Sequence, residues 1–328
     1  MSNKTILVTG GAGYIGSHAC KALQKAGFIP IVYDNLIHGH KNFIKWGPFE
    51  EGDITDKNRV EEVIKKYSPF AVLHFAAFID AAESVSDPGK YYRNNVMGAL
   101  NLLCAMKNRG VTKMVFSSSC AVYGIPVKIP ILENNPYNPI NPYGQTKSIV
   151  ENILKDFDRA YNIKSISLRY FNAAGADPDG EIGEDHNPET HLIPLVLDSA
   201  LGHRHSVTVF GNDYDTPDGT CIRDYIHVSD LADAHILALN ALENGMNTTA
   251  FNLGNGQGYS VKEIIETAKH VTGTDIVTEI FKRRAGDSPK LIGSSIKAIN
   301  ELGWEPKYGD IKTIISHAWQ WHKKERQV

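Results

Sequence analysis

The chain has 328 residues, 42% hydrophobic and 22% charged, with a formal net charge of -3 at pH 7. That length buries a large core and fits a main domain with a smaller second lobe. The balance excludes disordered and collagen-like chains and offers no cationic surface to nucleic acid, and no apolar run approaches the roughly 18 residues of a membrane span.

The first strand is reached by Thr5 without a basic and apolar leader, so a cytoplasmic location is expected. Cys20, Cys104, Cys120 and Cys221 lie far apart in no metal-ligand spacing. They read as reduced, mostly buried thiols, and no metal site is read from the chain.

Ile6, Leu7 and Val8 form a short apolar run, followed by Thr-Gly-Gly-Ala-Gly-Tyr-Ile-Gly over Thr9 to Gly16 and a helix-compatible stretch, Ser17 to Ala26, closed by Gly27. In a strand, tight turn and helix of this kind, glycines such as Gly10, Gly13 and Gly16 let the backbone approach a diphosphate. The free amides and positive dipole end of the helix, at Tyr14 and Ile15, then bind the anion. The next strand, Ile29 to Tyr33, ends at Asp34 and Asn35. Asp34 stands about 20 residues beyond the turn, where an acid accepts hydrogen bonds from the adenosine ribose and repels a ribose phosphate, so NAD is favoured over NADP.

Glu50 to Ile54 marks the end of a short strand, and Asp53 has two readings: it caps a helix from about Lys57 to Tyr67, or it faces the adenine edge of the cofactor. Phe70 to Phe75, broken only by His74, reads as a central parallel strand covered on both faces, and Ala76 and Ala77 then leave room for a ligand against the backbone. From Tyr91 to Arg109, Val96, Leu100 and Leu103 recur at helical spacing, and Gly110 ends the segment.

Lys113 to Phe116 is the next strand, running into Ser117-Ser118-Ser119; after a proline-rich loop, Tyr143 to Tyr161 is a helix and Ser165 to Tyr170 a strand. Strand and helix alternate throughout this first half, which predicts a Rossmann-type doubly wound parallel sheet. The NAD-binding domain is expected over 1–172, with the chain returning to it around 223–253, and 173–328 mainly forms a smaller α/β substrate-binding lobe. In that lobe Val207 to Phe210 and Asp224 to Val228 read as strands, the latter leading into a helix that ends near Leu242. Ser260 and Glu263 form a capping box on a helix stopped by Gly273, and Ile311 to Lys323 is the last helix.

Tyr143 and Lys147 are four residues apart, hence on one face of their helix. A free phenol has a pKa of about 10, and a neighbouring ammonium and a positively charged nicotinamide both favour the phenolate, so Tyr143 can take a hydroxyl proton. Ser119 stands at the carboxyl end of the preceding strand, where the crevice for the cofactor opens.

These motifs, together with Gly52-Asp53-Ile54, His74-Phe75-Ala76-Ala77, Arg169-Tyr170-Phe171-Asn172, Phe210-Gly211-Asn212-Asp213-Tyr214, Arg223-Asp224-Tyr225-Ile226-His227-Val228 and Arg283-Arg284-Ala285-Gly286-Asp287, run over essentially the whole chain. On them the sequence closely resembles the extended short-chain dehydrogenase/reductase family and, within it, the UDP-glucose 4-epimerases. The resemblance implies an NAD-dependent epimerisation at carbon 4 of a UDP-hexose, and a homodimer built on the helices around Tyr91 to Arg109 and Tyr143 to Tyr161. It makes Tyr143 the base, has Ser119 hydrogen-bond the reacting oxygen, and has Lys147 hold the nicotinamide ribose and lower the Tyr143 pKa. It extends the cofactor set to Ile54, Phe75, Asn94, Ser117 and Tyr170.

For the UDP-sugar the resemblance implies Asn172 on a phosphate, and Arg223, Arg284 and Asp287 on the phosphates and uridine ribose. Phe171, His191, Leu192, Val207, Thr208, Val209 and Phe210 complete that set, with Leu291 at a pocket wall whose bulk sets the room beside the sugar's carbon-two substituent. Two guanidinium groups suit a diphosphate because their planar forks match its oxygens. The chain departs from the pattern twice, with Ile79 where many relatives carry a cofactor-contacting lysine and His191 where relatives often have Asn. UDP-N-acetylhexosamine or UDP-pentose 4-epimerisation is the alternative reading. A 4,6-dehydratase is disfavoured because Cys120-Ala121 follows Ser119 where dehydratases carry Asp-Glu, and a non-catalytic NAD-binding regulator is disfavoured by the Tyr143/Lys147 pair.

Overall fold

The computed structural model describes residues 4–284 and 287–326. Among the described residues, seven strands form one sheet in the order β10-β6-β5-β4-β1-β2-β3. These are β1 (Thr5–Thr9), β2 (Ile29–Asp34), β3 (Phe49–Glu51), β4 (Ala71–His74), β5 (Lys113–Ser119), β6 (Lys164–Tyr170) and β10 (Thr249–Leu253), and every pairing is parallel. The chain winds outward from β1 to β2 and β3, then crosses to β4 and winds the other way. The resulting crevice between β1 and β4 lies at the carboxyl ends of the strands, where open α/β sheets bind ligands.

Both faces of the sheet are covered, which is why its central strands β1, β2 and β4 are nearly continuous apolar runs rather than alternating. Ile6 and Val8 pack with the helices Tyr14–Lys25 and Val228–Glu243, while Leu7 between them packs with Lys57–Tyr67, Gly98–Arg109 and Pro142–Tyr161. Burial of each such side chain contributes about 1.5–3 kcal/mol.

The second lobe has its own core, in which Val207 and Val209 of β8 (Val207–Phe210) pack with Ile193, Ile264 and Ile314. Among the described residues, β8 pairs only with β12 (Thr278–Phe281), while β9 (Ile222–His227) carries β7 (Asn172–Ala174), β11 (Gly258–Ser260) and β13 (Lys290–Leu291). The Ser260/Glu263 capping box is formed, and the last helix spans Ile311–Arg326.

Two local expectations are corrected. The helix Lys57–Tyr67 is capped by Asp56, whose carboxylate accepts from the amides of Asn58 and Arg59, and not by Asp53. The segment Tyr91 to Arg109 is not one regular helix: Pro88–Tyr91 is α-helical, Tyr92–Met97 is a π-turn and Gly98–Arg109 is α-helical. The π-turn turns the buried Asn95 inward, where it bonds the amide and carbonyl of Phe78 and the Thr146 hydroxyl. It thereby ties the loop after β4 to the helix carrying Tyr143. Among the described residues, no helix is long and apolar enough to cross a membrane.

Candidate active site

A cleft of about 590 Å³ runs along the carboxyl ends of the large sheet and opens toward the second lobe. At one end lies the glycine turn. Gly10 takes φ +73°, and a Cβ there would stand 2.6 Å from the Ala76 amide nitrogen; a Cβ on Gly16 would stand 2.1 Å from the Gly10 carbonyl oxygen. Only glycine lets the turn, the helix start and the loop after β4 come this close. The helix Tyr14–Lys25 begins at Gly13 with no side-chain cap, so its first amides remain available to an anion.

Asp34 ends β2 at the cleft edge, its carboxylate accepting from the amides of Ala12 at 3.0 Å and Leu36 at 2.8 Å. Burial raises its pKa and these amide bonds oppose the rise. The uncapped helix start, the side-chain-free approach and the anchored acid at the end of β2 fit a dinucleotide such as NAD.

Tyr143, Lys147 and Ser119 come together at the other end, where the helix Pro142–Tyr161 meets β5. Asn141 caps this helix by accepting from the Gly144 amide at 2.8 Å, and Pro142 occupies its first turn. Lys147 is 3% exposed, gives a 2.7 Å hydrogen bond to the Ser117 carbonyl, and stands 5.8 Å from the Tyr143 ring centroid. Ser117 is bonded to the Tyr170 hydroxyl, and the Ser119 hydroxyl accepts from the Ala121 amide.

Here the electrostatics differ from the expectation that Lys147 lowers the Tyr143 pKa. Burial pushes the phenol up to about 12 against a hydrogen bond with Ser119. Burial likewise pushes the Lys147 ammonium down to about 7, partly offset by the Glu151 carboxylate. With its ammonium spent on the Ser117 carbonyl, Lys147 does not by itself overcome the desolvation of Tyr143.

Most of the expected residues line one cleft: Gly10, Gly13, Tyr14, Ile15, Gly16, Asp34, Asn35, Ile54, Phe75, Ala76, Ala77, Asn94, Ser117, Ser119, Tyr143, Lys147, Tyr170, Phe171, Asn172, His191, Arg223 and Leu291. Eight do not. Asp53 stands behind Asn35, accepting from its side-chain amide at 2.7 Å and from the Thr55 hydroxyl at 2.6 Å. Val207 and Val209 are buried in the second-lobe core because strand alternation turns them inward, and Leu192 packs on the same core. Thr208 shares that small sheet, and Phe210 lies under the Arg284 guanidinium, 3.9 Å from its ring centroid. Asp287 is 3.3 Å from Nη2 of Arg223, which lines the cleft. Ala285 and Gly286 of the same motif lie outside the described residues.

Of the two departures, Ile79 is at the cleft and 46% exposed, while the following Asp80 caps the helix Ala81–Ser86. His191 meets a group that the sequence reading missed: its Nδ1 is 3.0 Å from both Glu184 Oε1 and Glu189 Oε1, and His186 Nδ1 is 3.3 Å from Glu184 Oε1. Burial disfavours charge on both rings, but the two carboxylates outweigh it and hold His186 at about 9 and His191 at about 10. The signal available was the run Glu-x-His-x-x-Glu-x-His over Glu184 to His191. Asn95 carried no such signal, because its role depends on the π-turn.

The sheet with its crevice, the glycine turn and the Tyr/Lys/Ser group define a nucleotide-cofactor enzyme of the short-chain type. The family model for the NAD dependent epimerase/dehydratase family matches residues 6–254, and the chain belongs to that family. It is 52% identical over 327 residues, covering 100% of both chains, to a UDP-glucose 4-epimerase of Rhizobium leguminosarum bv. trifolii. Among solved structures it matches UDP-glucose 4-epimerase of Brucella ovis in complex with NAD, at TM-score 0.94 and 50% identity over 96% of this chain and 97% of that one. It also matches the enzyme of Bifidobacterium longum in complex with NAD+ and UDP, at TM-score 0.93 and 37% identity over 98% and 99%.

Proposed function

We propose that this chain interconverts UDP-galactose and UDP-glucose by NAD-dependent epimerisation at carbon 4, acting in the cytoplasm as a homodimer. The observation that carries the reading is the meeting of Tyr143, Ser119 and Lys147 in the same cleft as an uncapped diphosphate turn. Tyr143 takes the proton of the sugar's 4-hydroxyl while Ser119 hydrogen-bonds that oxygen, and the carbon-4 hydrogen leaves as hydride. NAD held in the cleft would supply the acceptor and donor for that hydride, and its positive nicotinamide ring would add the charge that Lys147 alone does not supply against burial of the phenol. The 4-keto sugar turns over between the two transfers, and Tyr143 returns the proton to the new 4-oxyanion, so no net oxidation results.

Asn172, His191 and Arg223 stand at the second-lobe side of the cleft as the polar groups for the UDP diphosphate. The free cysteines suit a reducing compartment. Exposed Met97, Leu100 and Tyr161, at or near the ends of the helices Gly98–Arg109 and Pro142–Tyr161, supply apolar surface for a second copy.

Incubation with UDP-galactose tests the reading. Formation of UDP-glucose supports it, a 4-keto-6-deoxy product identifies a dehydratase, and no turnover identifies a regulator. Tyr143→Phe is expected to lower turnover by about 10²–10⁴-fold while NAD stays bound, as for loss of a general base. A near-wild-type rate in that variant would remove Tyr143 from the mechanism.

A further inference from the structure

The loop from Glu184 to His191 turns four potential ligand side chains toward one point, with one donor atom from each of Glu184, His186, Glu189 and His191 lying within 4.8 Å of all the others. Glu184 Oε1 is 3.0 Å from His191 Nδ1 and 3.3 Å from His186 Nδ1, and Glu189 Oε2 is 3.6 Å from His186 Nδ1. Zinc bonds to nitrogen or oxygen of about 2.0–2.1 Å in a tetrahedron put neighbouring ligands about 3.3 Å apart. These three of the six separations bracket that value, and the rest fall within 4.8 Å.

Hydrogen bonds do not complete the group. Glu189 Oε1 accepts from the backbone amides of Thr190 at 2.7 Å and His191 at 2.8 Å and is hydrogen-bonded to His191 Nδ1 at 3.0 Å, whereas Glu189 Oε2 and His186 Nδ1 are both buried without a hydrogen bond among the described residues. The two carboxylate side chains are only 7% and 6% exposed, and without a metal their compensating charge comes from the His186 and His191 imidazoliums, whose protons a bound cation would displace. Two anionic oxygens and two imidazole nitrogens form a donor set of the hard-to-borderline kind that a zinc-type ion takes.

We propose that Glu184, His186, Glu189 and His191 bind one divalent cation of the zinc class per chain. Four protein donors close a tetrahedral shell, which makes the site structural rather than catalytic. It staples the loop beside the Tyr14 ring, which meets His186 edge-on with centroids 6.2 Å apart. Coordination through His191 Nδ1 leaves the ring proton on Nε2 and fixes the imidazole as a hydrogen-bond donor on the cleft wall.

The test uses the full-length chain stripped with a chelator and titrated with Co²⁺ alone, a readout that does not depend on any sugar substrate. One equivalent binding with the intense visible bands of tetrahedral cobalt, displaced by Zn²⁺, is expected. Glu189→Gln should abolish those bands while NAD titration still saturates, which separates loss of a ligand from loss of fold. Absence of saturable Co²⁺ uptake by the wild type, or weak octahedral binding unchanged in Glu189→Gln, overturns the proposal and leaves the four residues as an ion-pair cluster held by protons.

Discussion

Glu151 lies one turn beyond Lys147 and is 2% exposed, yet it contacts no ligand-binding surface of the main cleft. Its carboxylate accepts four hydrogen bonds: Ser118 at 2.5 Å and Arg169 Nε at 2.9 Å on Oε1, Tyr137 at 2.5 Å and Arg169 Nη2 at 2.6 Å on Oε2. Glu151→Gln keeps the shape but replaces one acceptor oxygen by a donor. Whichever way the amide turns, an N–H then faces a guanidinium N–H, and Arg169, itself 3% exposed, loses its counter-charge. Breaking a buried ion pair from one side costs about 3–5 kcal/mol, far above the 0–1 kcal/mol of a surface pair.

A second effect follows from the same charge. Glu151 is what opposes the burial-driven fall of the Lys147 pKa to about 7, so its loss lowers that pKa further and moves the Lys147-dependent limb of the turnover profile to lower pH. Urea unfolding monitored by far-UV circular dichroism, run beside a pH–rate profile, measures both. A stability loss under about 1 kcal/mol would show that the pair is not desolvated as described. An unshifted profile would show that Glu151 does not act on Lys147.

Asp34→Ser removes the carboxylate that repels a ribose phosphate, and the ratio of NAD to NADP affinity by titration should fall; an unchanged ratio means Asp34 does not face the adenosine ribose. Asp224 is pushed up to about 6 by burial, against hydrogen bonds from the amides of Asn255, Gly256 and Gly293. A raised acid stabilises the fold most below its unfolded pKa and loses that contribution as pH rises through the folded value. The stability difference between wild type and Asp224→Asn should therefore shrink by roughly 1.4 kcal/mol from pH 5 to pH 7.5. Chemical denaturation at both pH values checks this, and a difference constant with pH refutes it. Leu291 lines the cleft and also packs against the cluster of Val122, Tyr123, Ile131 and Phe171, so Leu291→Tyr should cut activity on an N-acetylated UDP-sugar much more than on UDP-galactose. Equal losses on both substrates would make Leu291 a packing residue only.

The sequence by itself determined the features whose physics is local. The glycine turn was legible because the chain must adopt positive φ at Gly10 and come close to Gly10 at Gly16, and the parallel sheet because central strands such as β1 and β4, buried on both faces, are nearly continuous apolar runs alternating with helices. Tyr143 and Lys147 were legible because helical spacing alone puts them on one face. Tertiary structure decided what depends on desolvation and on contacts between distant segments. It turned Val207 and Val209 into core, set the Tyr143 phenol at about 12 instead of lowering it, and put Asp53 behind Asn35. It also converged Glu184, His186, Glu189 and His191 on one point. Burial and convergence are properties of the packed chain, and residue type and spacing do not encode how much water each group loses.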